Sequence, residues 1–254
     1  MIRPYILKET NWKDIKAHQY ELAVLPWGAT ETHNYHLPYG TDVYEGDAIA
    51  AESARIAWEK KAKVVVLPTI PFGVNTGQRD IYLDMNIYPS TQMAILKDVC
   101  EVLSTHGIKK LMILNSHGGN DWKSIVRELG TIYPEMYICV TDWFKSMDRT
   151  KYFDDPGDHA DEMETSLIMY LKPDLVLPKE TWGDGKEKKH RIKAFSEGWA
   201  WSERRWSKVS ADTGIGDPKA SSAEKGKAFF DAVCQKMGQL FVDLCALDQD
   251  DIYE

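Results

Sequence analysis

Four short β-rich runs separated by helical patterns constrain this chain more than any other feature: ELAVLP from Glu21, KVVVLP from Lys63, KLMILN from Lys110 and MYICVT from Met136. Strands that alternate with helices imply a mostly parallel sheet covered on both faces, hence the α/β class. Between the first two runs, residues 43–61 are rich in Ala and Glu with few breakers; between the next two, residues 90–106 place Met93, Leu96, Val99 and Leu103 on one helical face. Both read as crossover helices. The second is expected to start at Ser90 as N-cap and to stop at Gly107, where a left-handed residue suits the helix end. A last helix is predicted over 222–247, opened by a capping box of Ser221 and Glu224 and burying Phe229, Val233, Met237, Leu240 and Leu244.

At 254 residues the chain fits one large α/β unit, and a single domain over 1–254 is expected. With 43% hydrophobic and 28% charged residues it falls among soluble globular proteins rather than disordered or membrane classes. A formal charge of -8 argues against nucleic acid as partner; the one basic run, KEKKHRIK at 186–193, reads as a solvated loop. No stretch approaches the ~18 apolar residues of a membrane span, and the first twenty residues lack the apolar core of a signal peptide, so a cytoplasmic location is expected. Cys100, Cys139, Cys234 and Cys245 show no C-x-x-C spacing and read as reduced core residues. Any metal chemistry therefore falls to His and carboxylates. The irregular stretch 178–219, with Trp182, Trp199, Trp201 and Trp206, reads as a lid or an interface.

In open parallel sheets, ligands bind beyond the carboxyl ends of the strands. The first strand runs into PWGATETHNYHLPYGTD, which holds Glu31, His33, His36 and Asp42; the third runs into NSHGGN, with His117 at the strand end; after the fourth comes DHADEMETSLIMYL, with His159, Asp161, Glu162 and Glu164 ahead of a helix. Glu31 and His33, two apart in extended chain, point to one side and can address one site. Asp42 could bridge two ions, with Glu31 and His117 completing one side and His33 and Glu164 the other. Imidazole with carboxylate suits zinc, manganese or iron. Two such cations hold a water as hydroxide near neutral pH and polarise a carbonyl, which makes hydrolysis of a C–N bond feasible. His159 is the candidate to protonate the departing nitrogen, with Glu162 as its rival.

Taken singly, a loop histidine is more often hydrogen-bonded or solvated than a ligand. Four of the seven histidines, however, directly follow predicted strands in segments dense with carboxylates, which a merely solvated surface does not require. Asp80 and Asp84 read as solvent-facing or turn-capping, with Arg79 paired to one of them, and the glycines of NSHGGN lack the spacing of a nucleotide-phosphate loop.

LPWGATETHNYHLPYGTD, ILNSHGGN, DHADEMETSL and TGIGDPKASSAEKG, in this order, resemble the creatininase (creatinine amidohydrolase) family across most of the chain. The resemblance implies a three-layer α/β/α fold, a homohexamer, and a dinuclear site with zinc most expected and manganese or iron as alternatives. It implies Glu31, Asp42 and His117 as ligands of one metal, His33, Asp42 and Glu164 as ligands of the other, and His159 as the histidine that handles the proton. Trp143 is similar in place to a substrate-covering tryptophan, and Asn86, Gly118 and Gly119 fall on the substrate side. There the chain departs from creatininase itself, which has glutamate where Gly119 stands and a glycine-rich run where LDMNIYPST stands. The family also includes formamide deformylases and cofactor-peptide peptidases. The reading is thus a metal-dependent amidohydrolase acting on a cyclic or other non-standard small-molecule amide; the competing class is a catalytically silent binding or assembly protein.

Overall fold

The computed structural model describes residues 2–253. After a short helix α1 (Trp12–Ile15) come strand β1 (Leu22–Trp27), helix α2 (Thr41–Glu59), β2 (Val64–Val66), α3 (Pro89–Thr105), β3 (Lys110–Asn115), α4 (Lys123–Ile132), β4 (Tyr137–Asp142) and α5 (Glu162–Leu171). Two single-turn helices, α6 (Lys193–Ser196) and α7 (Trp206–Val209), interrupt the Trp-rich segment before the long α8 (Ala223–Ala246). All strand pairs are parallel, in the order β2-β1-β3-β4.

Alternation along the strands divides the core. Leu22, Val24, Val64, Val66, Met112 and Leu114 pack against α2, α5 and α8, while Ala23, Leu25, Trp27, Val65, Leu111 and Ile113 pack against α3 and α4. Successive strand residues face opposite sides, so a central strand apolar throughout needs a helical layer on each. The architecture is the three-layer α/β/α sandwich. Because the chain steps from β1 to β2 on one side and crosses to β3 on the other, the connections diverge between β1 and β3. Their carboxyl ends open the crevice in which ligands bind in such sheets.

Helix boundaries follow local chemistry, with two corrections. Gly107 adopts φ +74 just beyond α3, as its position suggests, but the helix begins two residues earlier than expected. Pro89 takes the first turn, where its missing N–H costs nothing, so Tyr88 rather than Ser90 is the N-cap. At α8 the cap is Ser222, which accepts from the Lys225 N–H; Ser221 instead donates to the Pro218 and Glu162 carbonyls. The cysteines are all free, with Cys139 half-buried and the other three buried. No helix among the described residues is long and apolar enough to cross a membrane.

The tightest helix contact lies where α8 crosses α5. A Cβ placed on Gly226 would stand 1.9 Å from the Ser166 carbonyl oxygen. Gly226→Ala must push α8 off α5 and should cost about 2 kcal/mol, read in thermal melts as a Tm lower by roughly 4–8 °C. Gly130→Ala on α4, where nothing lies within 4 Å, should instead stabilise by up to about 1 kcal/mol through helix propensity alone. Equal melting shifts for the two variants would contradict this account of the layer.

Candidate metal centre

Five donors converge at the divergence of β1 and β3. Glu31 and His33 come from the loop after β1, Asp42 from the first turn of α2, His117 from just beyond β3 and Glu164 from the first turn of α5. All but Glu164 are buried, with Glu31 and Asp42 at 1% exposure. The two oxygens of Asp42 face opposite partners: Oδ1 lies 3.0 Å from His33 Nε2 and Oδ2 lies 3.1 Å from His117 Nδ1. Glu31 Oε1 stands 2.9 Å from His117 Nδ1, and Glu164 Oε2 stands 3.9 Å from His33 Nε2. Glu31, Asp42 and His117 form one set whose donor atoms lie within 4.8 Å of each other, and His33, Asp42 and Glu164 form a second.

Backbone carbonyls orient both rings. His33 Nδ1 lies 3.2 Å from the Glu31 carbonyl and His117 Nε2 lies 3.1 Å from the Val74 carbonyl. A proton on those nitrogens turns the lone pairs of His33 Nε2 and His117 Nδ1 inward, the tautomers a metal needs. The His117 loop is itself fixed by an amide network. Asn115 Nδ2 donates to the His117 carbonyl at 2.9 Å, Asn120 Nδ2 donates to Asn115 Oδ1 at 2.9 Å, and Asn120 Oδ1 accepts the Val74 N–H at 3.1 Å. The two asparagines of NSHGGN thus hold both the ligand and the carbonyl that orients it.

Charge supplies the test of fit. His33 Nε2 and Asp42 Oδ2 are buried, and although they lie 3.0 and 3.1 Å from Asp42 Oδ1 and His117 Nδ1, neither makes an aligned hydrogen bond among the described residues, which is costly for buried polar groups. Burial alone would favour neutral imidazole, yet Asp42, Glu164 and Glu31 push the His33 pKa up to about 10, and Glu31 and Asp42 hold that of His117 well above the usual range. Protons thus stand in for positive charge that the carboxylates demand. Divalent cations fit the donor set and the orphaned atoms, and their binding must expel those protons.

The remaining candidates are placed as follows. His159 packs on His33 with ring centroids 4.2 Å apart; its Nε2 lies 2.7 Å from the Thr32 carbonyl and its Nδ1 3.9 Å from Glu31 Oε1. Burial lowers its pKa. Glu162 is not beside it. That carboxylate accepts the Asp154 and Asp155 N–H groups at 2.8 and 2.9 Å and ion-pairs with Lys225, all structural tasks. Trp143 is not a substrate cover either: it is 1% exposed in the α2/α5/α8 layer, its indole N–H bonded to Ser116. His36 is withdrawn from the donors, with Nε2 on Thr165 Oγ1 at 2.9 Å and its ring stacked on Trp182. Asn86 Oδ1 accepts the Asn75 N–H at 2.8 Å, a contact within the loop that follows β2. Gly118 and Gly119 are exposed, but a Cβ on Gly119 would come within 2.4 Å of His117 Nε2. The glutamate of creatininase has no room on this backbone.

Three residues near the centre escaped the sequence reading. Gln78 donates through Nε2 to Glu31 Oε2, and Asp84, half-buried rather than solvent-facing, accepts the Thr32 N–H at 2.7 Å between the two ligands of that loop. Arg79 pairs with neither Asp80, which accepts from Ser207, nor Asp84, and loop residues so distant in sequence left no periodic signal. Glu45 did leave one, three residues after Asp42 on the same helix face. Its carboxyl is fully buried without a partner among the described residues, and desolvation with the nearby Glu164, Asp42 and Asp161 raises its pKa well above normal.

Known proteins share this arrangement's framework. The family profile described as creatininase, creatinine amidohydrolase, matches residues 8–241. A crystal structure from Bacteroides fragilis NCTC 9343, provisionally described as a creatinine amidohydrolase, is 38% identical and covers 100% of both chains with a TM-score of 0.92. A mycofactocin precursor peptide peptidase of Mycobacterium tuberculosis is 26% identical over 219 residues, 83% of this chain and 80% of that protein. A variant creatininase described as Zn-Zn type, 19% identical, has the same fold, covering 94% of this chain and 97% of that one with a TM-score of 0.76.

Asp42→Asn keeps the size of the shared donor and removes its charge. Its metal content after dialysis, measured by elemental analysis, should fall for both ions together and its metal affinity by at least about tenfold. Two tightly held equivalents in that variant would refute a shared ligand.

Proposed function

The chain belongs to the creatininase family, and on that premise we propose that it is a metal-dependent amidohydrolase cleaving the C–N bond of a cyclic or other non-standard amide. The observation that carries this is the pair of donor sets meeting at Asp42. Glu31, Asp42 and His117 would hold one divalent cation and His33, Asp42 and Glu164 the other, zinc being the best match to imidazole and carboxylate donors, with manganese or iron compatible. When bound, such a pair supplies Lewis acidity toward a carbonyl and acidifies water.

The protein's own groups manage the proton. With His159 Nε2–H donated to the Thr32 carbonyl, Nδ1 carries the lone pair and faces Glu31. Its lowered pKa keeps this nitrogen unprotonated at neutral pH, ready to accept a proton from the attacking water and deliver it to the departing nitrogen. Trp206, with its ring centroid 4.8 Å from that of His159, shields the transfer from solvent. Asn86 Nδ2 and the backbone of Gly118 and Gly119 are the substrate-side contacts.

The departures from creatininase at Gly119 and at LDMNIYPST favour an amide other than creatinine, so formamides and short cofactor peptides stand beside lactams as candidates. A panel of all three, run with defined zinc or manganese, tests the reading. His159→Ala should retain its metals yet lose about 10²–10⁴-fold in kcat, and creatinine should be turned over roughly a hundredfold more slowly than the best substrate. A metal-loaded protein inert toward the whole panel would instead support the silent binding role.

A further inference from the structure

Part of the Trp-rich segment folds back over the loop that follows β2. Thr76 Oγ1 donates to Glu203, Ser207 Oγ donates to Asp80 at 2.5 Å, and the Arg204 carbonyl lies so close to Gly77 that a Cβ there would meet it at 2.1 Å. These contacts border a surface cavity of about 320 Å³ that is open to solvent. Its charged lining consists of Arg79, Arg205 and Lys208 against Asp80 and Glu203, an excess of cation on a chain whose net charge is -8.

The two carboxylates already accept hydroxyl hydrogen bonds, while the cations are uncommitted. Arg3, Arg55, Arg149 and Arg204 each face a carboxylate. Among the described residues, no carboxylate oxygen lies within 4.0 Å of a side-chain nitrogen of Arg79, Arg205 or Lys208. Guanidinium forks match the paired oxygens of carboxylate and phosphate and gain from a partner.

The cavity is lined by chain neighbours of residues that reach the metal centre. Arg79 follows Gln78, which bonds Glu31, and Arg205 precedes Trp206, which packs on His159. Ser207 is shared with a second cavity of about 310 Å³ whose wall includes Thr32, the residue whose carbonyl holds His159. Arg205 and Ser207 thus flank Trp206, whose ring packs on that of His159, and this sets the cation cluster beside the proton-handling histidine.

We infer that the substrate carries an anionic oxygen group, carboxylate or phosphate, at the end remote from the scissile amide, and that Arg79 and Arg205, supported by Lys208, bind it in this cavity. The inference deepens the hydrolytic reading above and rests on it for the position of the amide. It also separates this chain from an enzyme for creatinine, which has no such anionic arm.

The test is calorimetric titration of the metal-loaded protein with three probes that share an N-acetyl amide: N-acetyl-β-alanine, its neutral carboxamide, and N-acetyl-O-phosphoethanolamine. The wild type should prefer at least one anionic probe over the carboxamide by about tenfold or more. The double variant Arg79→Gln/Arg205→Gln, altered only at exposed positions, should lose most of that preference, whereas Arg127→Gln on α4 should keep it. The arm with the larger loss identifies carboxylate or phosphate. An anion preference undiminished in the double variant would place the anion at the metals instead and overturn the inference, as would no preference in the wild type. Failure of the hydrolytic reading shows elsewhere, as absence of turnover across the amide panel, and leaves this ratio readable.

Discussion

Three carboxylates and two imidazoles held around a common centre in a largely buried crevice are the constraint on which the rest depends. Burying unpaired charge costs far more than any single hydrogen bond returns, so Glu31, Asp42 and Glu164 require cations or protons opposite them. Their charge pushes the pKa values of His33 and His117 up against the effect of burial. The surrounding structure holds these groups together against their preference for water: Asp161 caps the helix that carries Glu164, the Asn115–Asn120 network pins His117, and Asp84 ties down the backbone between Glu31 and His33.

The fold makes such a gathering inexpensive. Neighbouring parallel strands end at the same level, so loops after β1 and β3 meet without long excursions, and the first turns of α2 and α5 bring carboxylates to helix N-termini, where partial positive charge favours them. Ligands separated by more than a hundred residues, His33 and Glu164, are thereby brought to 3.9 Å. The 203–210 segment then acts on this frame from above. Trp206 packs on His159 while its neighbours on either side line the open, cation-rich cavity, so shielding and the proposed anion recognition fall to one stretch of chain. Trp199 and Trp201, 76% and 85% exposed, take no part in it.

The strengths and failures of reading the sequence have a common physical origin. Strand positions, the crossover helices and the crowding of His and carboxylate at strand ends are local signals, set by periodicity and by residues within a few positions of one another. Glu162 and Trp143 misled because adjacency to a functional residue says nothing about direction. Glu162, two positions before Glu164, turns away to Lys225, and Trp143 turns inward to Ser116. Gln78 and Asp84 were invisible as contributors because each reaches the centre across a distance in sequence that no pattern spans, and Trp206 was legible only as one tryptophan of a segment read as a lid or an interface.

By itself, then, the sequence determined the alternating α/β architecture and the chemical kind of the centre, since hydrophobic period and residue type are properties of short stretches. Only the tertiary structure decided which oxygens of Asp42 face which ring, which nitrogen of each histidine is turned inward, that Gly119 leaves no space for a side chain, and that Arg79 and Arg205 line one cavity. Those are facts of distance and direction between segments remote in the chain, and packing alone settles them.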